Sequence, residues 1–365
     1  MGYEIAPGVA PALEAFHLPE RLGFGLVAAP VMYAIDWAEG AWGGGRLLPY
    51  GPIEILPGAR ALQYAELVFE GLKAYRVGRP WPNLFRPLDN CARLARSAER
   101  LAMPTVPEPV FLEALDAVAG ALAPFVPERT GQALYLRPFL FGTESGYLLR
   151  NSTTFRFMVI ANPVEAYATG AIKVAIERRD VRAAPGGVGY AKAAANYAAS
   201  LRASSGAVAR GCTIALWLDA HEHHYIQELS GMNLFAVVDG ELYTPALDGA
   251  ILPGITRDSL ITLARHRGYV VHERQMALDP LLAQVKSGAC SEVFACGTAA
   301  IVAPVSALVE DDGTEFRPRR VDGVAAELRE ALLAIQERRA PDPYGWTRAV
   351  AAAPTAAPWA RAAAG

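Results

Sequence analysis

The order of strand-like and helix-like segments is the feature that most constrains the fold of this 365-residue chain. Runs rich in β-branched, aromatic and leucine residues are followed by stretches with apolar residues at helical spacing, and this order occurs twice. Asn162-Pro163 and Gly170 separate the two occurrences. Because strand runs followed by helix runs are typical of α+β domains, the sequence predicts two such domains. The chain is long enough for each domain to bury a core without disulfides.

Breaks in the pattern and shifts in composition set the predicted domain limits. We expect a smaller N-terminal α+β domain over residues 1–162, an interdomain linker over 163–172 and a larger C-terminal α+β domain over 173–345. Residues 346–365 are rich in alanine and proline, a composition that predicts a disordered tail.

Three further predictions concern single elements of secondary structure. Apolar residues at helical spacing predict a helix over residues 88–102, with Asp89 as its N-cap. The alanine-rich stretch 191–210 predicts a second helix that ends at Gly211. Residues 1–22 contain no clear strand pattern.

Charge and motifs exclude several classes of function. The 34 basic and 37 acidic residues give a formal net charge of −3, so nothing favours binding to nucleic acid or to an anionic membrane surface. The sequence has no G-x-G-x-x-G motif after a strand, no G-x-x-x-x-G-K-[ST] loop and no G-x-S-x-G motif. Residues 221–224 (HEHH) lie in a predicted hairpin turn without a second ligand cluster, so we expect no metal site.

The cysteines and the apolar runs indicate the compartment. None of the four cysteines forms a C-x-x-C pair, and the N-terminus lacks the basic-then-apolar pattern of a signal peptide. The longest charge-free apolar runs are shorter than the roughly 18–20 residues that a membrane span needs. We therefore expect a cytoplasmic protein with free thiols and no membrane partner.

Lys192 is the most informative single residue. A glycine-rich segment, residues 186–189, leads into an alanine-rich stretch that contains this lysine. An ammonium group in apolar surroundings loses hydration, which favours the neutral amine. A neutral lysine is suited to form a Schiff base with an aldehyde cofactor. An exposed lysine at a helix N-terminus is the open alternative.

Three other segments have features of a site for a phosphorylated cofactor. Glu228 directly precedes an apolar run, and pyridoxal phosphate needs a carboxylate against its pyridinium nitrogen to act as an electron sink. Residues 252–258 place backbone N–H groups at a predicted helix N-terminus, which is a natural phosphate site. Residues 295–300 form a turn of small residues that could bind an anion. Taken alone, Glu228 is better explained as a solvated turn glutamate, and either of the other two segments could be an ordinary turn.

Seven segments, taken in order, resemble one family. They are FEGLKAYR (69–76), FRPLDNCARLARSA (85–98), LYLRP (134–138), GGVGYAKAAANYAASL (186–201), ELSGMNLF (228–235), LDGAILPGITRDSL (247–260) and EVFACGTAA (292–300). Together they resemble the branched-chain amino acid aminotransferases, pyridoxal-phosphate enzymes of the class IV aminotransferase family. The resemblance implies a two-domain, D-amino-acid-aminotransferase-like fold with the cofactor cleft between the domains. It also implies a homodimer in which the loop 143–150 reaches the partner's site.

The resemblance implies a role for each residue that matches a family motif. Lys192 would form the Schiff base with pyridoxal 5′-phosphate and move the proton between substrate and cofactor. Glu228 would pair with the pyridine nitrogen, Tyr197 with the phenolic oxygen and Arg93 with the phosphate. The full set of cofactor-binding residues would be Arg93, Lys192, Tyr197, Glu228, Ser230, Ile255, Thr256 and Thr298.

The substrate-binding residues are implied in the same way. Gly231 and Ala299 would offer backbone amides to the α-carboxylate, and Arg137 would belong to the pocket for the side chain and the second carboxylate. The substrate-binding set would be Tyr64, Phe69, Tyr135, Arg137, Gly231 and Ala299. Tyr167, in the interdomain loop, would close over the substrate.

The sequence departs from the family pattern next to the lysine. Family members usually have Lys-x-Gly-Gly-Asn-Tyr, whereas Ala194 and Ala195 stand in place of the two glycines here. Two added methyl groups would alter the approach of the backbone to the cofactor or the shape of the pocket. The histidine that often precedes the family's Tyr-x-x-x-x-Phe-Glu-Gly segment is Gln63 here.

The implied reaction is transamination of a hydrophobic or branched-chain L-amino acid with 2-oxoglutarate, which gives the 2-oxo acid and L-glutamate in a ping-pong cycle. The departures leave open a specialised enzyme of secondary metabolism that acts on a modified amino acid. A D-amino acid transaminase and an aminodeoxychorismate-type lyase of the same fold are the alternative enzymes. The non-enzyme alternative is a homologue that binds ligand without catalysis.

Overall fold

The computed structural model describes residues 2–165 and 170–351, which group into two compact units. Unit 1 comprises residues 2–165, 191–194 and 335–351, and unit 2 comprises residues 170–190 and 195–334. The predicted division into contiguous halves differs from this grouping, because residues 191–194 and the chain after 335 group with the N-terminal residues.

The described residues form nineteen strands and nine α-helices. In chain order the strands are β1 (Tyr3–Ile5), β2 (Val31–Ala38), β3 (Ala41–Trp42), β4 (Gly45–Pro49), β5 (Leu67–Phe69), β6 (Leu72–Tyr75), β7 (Asn83–Phe85), β8 (Ala133–Gly142), β9 (Phe155–Val164), β10 (Ile172–Glu177), β11 (Ile214–Leu218), β12 (Ile226–Leu229), β13 (Asn233–Val238), β14 (Glu241–Thr244), β15 (Val271–Glu273), β16 (Cys290–Gly297), β17 (Ile301–Val309), β18 (Glu315–Phe316) and β19 (Thr347–Ala349). The helices are α1 (Val9–Ala15), α2 (Arg60–Tyr64), α3 (Pro87–Arg100), α4 (Glu108–Ala121), α5 (Ala195–Ala199), α6 (Leu201–Ala209), α7 (Ile255–His266), α8 (Leu278–Ser287) and α9 (Val324–Gln336).

Unit 1 is built on a ten-stranded sheet. Its strand order is β1-β4-β2-β9-β8-β6-β7-β19, with β3 paired to β2 and β5 paired to β8. Every pair is antiparallel except β1 with β4. Helix α4 buries Val110, Phe111, Leu115 and Val118 in the same apolar cluster as Phe157 of β9. This spacing of three and four residues is that of a helix with one apolar face against a sheet.

Unit 2 is built on a nine-stranded sheet. Its strand order is β12-β11-β10-β17-β16-β13-β14-β15, with β18 paired to β17. Strand β10 is parallel to both β11 and β17, and β14 is parallel to β15, while the other pairs are antiparallel. Helix α8 buries Leu278, Leu281, Leu282 and Val285 in one apolar cluster with Val293 of β16.

The chain near residue 348 is ordered, so the predicted disorder of residues 346–365 is wrong for this part. Strand β19 pairs antiparallel with β7. Arg348 donates two hydrogen bonds of 2.7 Å to the Asp116 carboxylate, and Trp81 Nε1 donates to the Val350 carbonyl oxygen at 2.7 Å. These partners are distant in sequence, and local composition carries no information about them. Residues 352–365 lie outside the described residues.

Two other local predictions also differ from the structure. Helix α3 lies where a helix was predicted, but its N-cap is Arg86, with φ of +49°. Asp89 lies in the first turn instead, where its carboxylate accepts a 2.8 Å hydrogen bond from Arg86 Nε. Residues 3–5, which showed no strand pattern, form β1 because they pair with β4 about forty residues later.

Asp219 organises the turn between β11 and β12. Its Oδ1 accepts the backbone N–H groups of His224 and Tyr225, and its Oδ2 accepts those of His221 and Glu222, at 2.7–3.0 Å. Burial opposes ionisation of this carboxyl, but the four hydrogen bonds outweigh burial and lower the pKa of Asp219 to about 2. One carboxylate therefore fixes the histidine-rich turn.

Replacing Asp219 with asparagine is expected to lower the free energy of unfolding by roughly 2 kcal/mol at neutral pH. In the variant, the side-chain amide nitrogen would face two backbone N–H groups that donate to a carboxylate oxygen in the wild type. A carboxyl whose pKa is lowered on folding stabilises the fold above its unfolded pKa of about 3.9, and this stabilisation is lost as the pH falls toward the folded value. The difference between wild type and variant should therefore shrink between about pH 4 and about pH 2.

Urea unfolding followed by circular dichroism at successive pH values measures this difference. Glu222→Gln is the control, because Glu222 is exposed and only its backbone N–H contacts Asp219. The control should change the free energy of unfolding by less than about 0.5 kcal/mol. A stability difference for Asp219→Asn that stays constant through the acidic range would contradict the prediction.

Candidate active site

Lys192 lies in a short extended segment, residues 191–194, that runs beside β5 in unit 1. Phe69 donates its N–H to the Lys192 carbonyl oxygen at 3.0 Å, and Ala194 donates its N–H to the Leu67 carbonyl oxygen at 3.0 Å. These backbone hydrogen bonds fix the Cα of Lys192 relative to β5.

The helix predicted over residues 191–210 begins later than expected. Helix α5 starts at Ala195, because the backbone groups before it bond to β5 instead of to a helical turn. Ala194 and Ala195, which replace the family's two glycines, are not among the residues with positive φ. Their methyl groups therefore impose no strain on the backbone at this position.

The side chain of Lys192 lies near an aromatic ring that also contacts a guanidinium group. Its Nζ is 5.0 Å from the centroid of the Phe69 ring, and the guanidinium carbon of Arg137 is 4.6 Å from the same centroid. Arg137 Nη2 also donates to the Tyr135 hydroxyl at 3.2 Å. Gly71 leaves space for this hydroxyl, because a Cβ at residue 71 would lie 2.0 Å from it.

The Arg137 guanidinium has one buried donor without a protein acceptor. Among the described residues, nothing accepts a hydrogen bond from its Nε. Buried donors are nearly always paired with protein, water or a ligand. Because a guanidinium presents its donors in a planar fork that matches a carboxylate, the position of Arg137 suits a carboxylate ligand.

A buried ion pair fixes Arg93, and sequence reasoning missed its partner. From α3, Arg93 Nε and Nη2 donate to the two carboxylate oxygens of Glu70, both at 2.7 Å. Arg93 is 4% exposed and Glu70 is 0% exposed. Bidentate arginine–carboxylate pairs of this kind are strong and directional. The sequence signal for Glu70 was its place in the FEGLKAYR segment, directly after an apolar strand run.

Tyr64 lies against the loop 143–150 and is 43% exposed. Its hydroxyl donates to the Tyr147 carbonyl oxygen at 2.7 Å. Arg60, which is buried, donates from Nη1 to two other carbonyl oxygens, those of Leu148 and Arg150. Two side chains of α2 therefore hold this loop in unit 1.

Glu228 lies inside β12 and is 3% exposed, so the alternative of a solvated turn glutamate is excluded. Its Oε1 is 3.0 Å from Arg182 Nη2. Its Oε2 accepts hydrogen bonds from Asn233 Nδ2 at 3.2 Å and from the Leu252 N–H at 3.3 Å. Fixed donors thus compensate the buried carboxylate within unit 2.

The turn after β12 and the hairpin between β16 and β17 lie side by side in unit 2. Ser230 and Gly231 form the turn, and Gly231 has φ of +84°, a conformation that favours glycine. A Cβ on Gly297, at the start of the hairpin, would lie 3.5 Å from the Gly231 carbonyl oxygen. The backbone of Gly297, which directly precedes Thr298 and Ala299, is therefore close to the backbone of this turn.

Asn233 connects Glu228 with the start of α7, and sequence reasoning missed this residue as well. Besides its bond to Glu228, Nδ2 donates to the Leu252 carbonyl oxygen at 3.0 Å. Its Oδ1 would lie 2.0 Å from a Cβ on Gly254, the N-cap residue of α7. Its place within the ELSGMNLF motif was the available signal.

The start of α7 has the character of an anion site. Ile255 and Thr256 open this twelve-residue helix, and Gly254 has no side chain with which to cap them. The first N–H groups of a helix lack intrahelical acceptors and lie at the positive end of the helix dipole. They are therefore suited to a phosphate.

The sequence-derived site residues fall in both units. Unit 1 contains Tyr64, Phe69, Arg93, Tyr135, Arg137 and Lys192. Unit 2 contains Tyr197, Glu228, Ser230, Gly231, Ile255, Thr256, Thr298 and Ala299. Tyr197 lies in α5 and is 39% exposed. Tyr167 lies outside the described residues.

Within residues 2–165 and 170–351, no group of three or more His, Cys, Asp or Glu side chains is placed to hold a metal ion. None of the described helices is long and apolar enough to cross a membrane.

The family model described as amino-transferase class IV matches residues 67–308 of this chain. The chain therefore belongs to the class IV aminotransferase family. The family predicted from the seven segments is confirmed, and so are the predicted α+β fold class, which the structure builds on two sheets, and the prediction of an aminotransferase.

Two relatives and one solved structure show how far the similarity extends. The branched-chain-amino-acid aminotransferase of Mycobacterium tuberculosis (strain CDC 1551 / Oshkosh) is 46% identical over 359 residues, which cover 94% of this chain and 97% of the relative. Branched-chain-amino-acid aminotransferase 2 of Bacillus subtilis (strain 168) is 39% identical over 339 residues, which cover 92% and 93%. The T.th. branched-chain amino acid aminotransferase, solved with pyridoxamine 5′-phosphate, has a TM-score of 0.70 and 32% identity, covering 87% of this chain and 98% of that one.

The residues present fit a pyridoxal-phosphate cofactor when each unit is considered by itself. Unit 2 offers the buried Glu228 carboxylate for a protonated ring nitrogen and the first N–H groups of α7 for a phosphate. Unit 1 offers the Lys192 amine beside Phe69 and the unpaired Nε of Arg137.

Proposed function

We propose that this chain is a pyridoxal-phosphate-dependent branched-chain amino acid aminotransferase, which transfers the amino group of a branched-chain L-amino acid to 2-oxoglutarate. The observation that best supports this is the fixed position of Lys192 beside Phe69 and Arg137, in a chain 46% identical to a relative of that name. The alternative of a lysine at a helix N-terminus does not describe Lys192, because its backbone pairs with β5. The D-amino acid transaminase, the lyase and the non-catalytic homologue have no comparable support among these relatives.

Pyridoxal 5′-phosphate, when bound, supplies an electron sink for the negative charge that develops at the substrate α-carbon. The Glu228 carboxylate would accept a hydrogen bond from the ring nitrogen and keep that nitrogen protonated. The N–H groups of Ile255 and Thr256 would hold the phosphate without adding a titrating side chain. The other proposed cofactor contacts are those of Arg93, Tyr197, Ser230 and Thr298.

Lys192 would move the proton during amino transfer. Its amine would take the proton from the substrate α-carbon and deliver it to the cofactor. A general base acts over heavy-atom distances of about 2.6–3.2 Å, so the anchoring of its backbone decides whether the amine reaches the proton. The hydrogen bonds from Phe69 and Ala194 provide that anchoring.

The side-chain pocket has to accept an apolar donor and a dicarboxylate acceptor in turn. Phe69 and Tyr135 are both 9% exposed and would contact the apolar side chain. Arg137, beside both rings, would bind the second carboxylate of 2-oxoglutarate through its fork of donors. Gly231 and Ala299 would donate backbone N–H groups to the α-carboxylate.

The chain would act as a homodimer in the cytoplasm. Tyr147, Leu148 and Leu149 are 76%, 71% and 91% exposed in the loop 143–150. Three consecutive exposed apolar residues on a loop held by hydrogen bonds favour an interface with a second copy of the chain. The described cysteines are free and buried, as expected in a reducing compartment.

Reconstitution of the purified protein tests the proposed function. Added pyridoxal phosphate should produce a visible absorption band, and addition of L-leucine should shift it. A panel of amino donors with 2-oxoglutarate should release glutamate with L-leucine, L-isoleucine and L-valine. A protein that stays colourless, or that reacts only with D-amino acids or aminodeoxychorismate, would contradict the proposal.

A further inference from the structure

Ser97 contacts both the extended segment 191–194, which contains Lys192, and the turn of α3 that contains Arg93. It lies on α3, one turn after Arg93, and is 0% exposed. Its Oγ accepts the backbone N–H of Lys192 at 3.0 Å and donates to the Arg93 carbonyl oxygen at 2.9 Å. One hydroxyl therefore serves as donor and acceptor between two residues that the proposed function places at the cofactor.

We propose that Ser97 is a positioning residue that fixes the Lys192 backbone for proton transfer. The Lys192 carbonyl is held by the Phe69 N–H, whereas the Lys192 N–H is held by the Ser97 hydroxyl. The first anchor belongs to β5 and the second to α3. Together they restrain the lysine Cα from two separate elements.

The ion pair between Arg93 and Glu70 makes α3 a rigid support for this contact. Glu70 immediately follows β5, and its carboxylate holds the Arg93 guanidinium with two hydrogen bonds. The carbonyl of the same Arg93 accepts the Ser97 hydroxyl, which orients the oxygen lone pairs toward Lys192. A displacement of about 1 Å in a catalytic group can cost about 10²-fold in rate, so loss of this bridge should reduce turnover.

A purely structural role is the competing explanation. A serine inside a helix often donates to the carbonyl four residues earlier, and this bond by itself has little effect. Ser306 offers a control in unit 2, where its part-buried hydroxyl donates to the Ile172 carbonyl oxygen at 3.1 Å. Ser306→Ala removes a hydroxyl and its hydrogen bond to a backbone carbonyl without touching Lys192.

The test compares Ser97→Ala, Ser97→Thr and Ser306→Ala as enzymes loaded with pyridoxal phosphate. We expect Ser97→Ala to lower kcat about 10- to 100-fold, with the KM for 2-oxoglutarate changed less than about twofold, because the lysine and not the pocket is displaced. Ser97→Thr retains the hydroxyl and should recover most of kcat, even if its extra methyl lowers the melting temperature. Ser306→Ala should keep the wild-type kcat.

Three results would overturn the inference. They are a kcat for Ser97→Ala within about twofold of wild type, equal losses of kcat in Ser97→Ala and Ser306→Ala, and a folded Ser97→Thr no more active than Ser97→Ala. If Ser97→Ala does not fold, Ser97→Cys provides the test instead. A thiol is similar in size to the serine hydroxyl but is a weak hydrogen-bonding group. Wild-type kcat in that variant would refute the inference, and reduced kcat at normal cofactor content would support it.

This inference rests on the proposed function, and the two can fail separately. A wild-type protein that does not transaminate would refute the proposed function. An active wild type whose Ser97→Ala variant is equally active would refute only the positioning role.

Discussion

Replacing Lys192 with alanine is expected to lower transamination by at least about 10⁴-fold, because the variant loses both its nucleophile and its proton carrier. The backbone hydrogen bonds from Phe69 and Ala194 use no side-chain atom of residue 192, so the segment should keep its position beside β5. The variant should therefore fold normally. Glutamate release from L-leucine and 2-oxoglutarate measures the loss, and circular dichroism checks the fold.

Two further lysine variants separate the chemistry of Lys192 from its charge. Lys192→Arg keeps a positive charge but cannot supply a neutral amine, so it should be as inactive as the alanine variant. Lys286→Ala removes an exposed lysine from the last turn of α8 and should retain full activity. Activity above about 1% of wild type in a purified Lys192→Ala enzyme would refute the assignment of this residue.

Replacing Glu70 with alanine is expected to destabilise the protein by about 3–5 kcal/mol, because it leaves the Arg93 guanidinium buried without its counter-charge. The pair is nearly inaccessible to water, at 4% and 0% exposure, so solvent cannot replace the lost carboxylate. Urea unfolding measures the effect. Glu99→Ala, which removes an exposed carboxylate from the same helix, should change stability by less than about 0.5 kcal/mol.

A double variant tests the reason given for this loss. Replacing both partners, as in Glu70→Leu with Arg93→Met, removes the uncompensated charge and should recover part of the stability. It should not recover activity, because Arg93 is also proposed to bind the phosphate. A double variant no more stable than Glu70→Ala would contradict the electrostatic explanation.

The sequence predicted what depends on local pattern and on family motifs. The family, the α+β fold class and the helix at α3 could be inferred from periodicity and from seven ordered segments. The surroundings of Lys192 could not, because its extended conformation is imposed by β5, more than one hundred residues earlier. Alanine-rich composition favours a helix, and tertiary hydrogen bonds override that preference here.

Residues that act through other residues were the ones that sequence reasoning missed. Glu70, Ser97 and Asn233 make their contacts with Arg93, Lys192 and the start of α7 across separate elements. No spacing rule along the chain connects such partners. Each lies inside or next to a motif that was recognised for a different residue. Motif matching therefore located the region of the site but did not identify the residues that hold its other residues in place.

The assignment of residues to unit 1 has a consequence for the chain during synthesis. The sheet of this unit begins with β1, near residue 3, and is completed only by β19, near residue 348. The segment with Lys192 joins the same unit from between two parts of unit 2. A ribosome must therefore make the chain as far as residue 349 before the sheet of unit 1 has all its described strands, whereas every described strand of unit 2 has been made by residue 316. A nascent chain halted after unit 2 would contain Lys192 but not β19, the last strand of the unit 1 sheet.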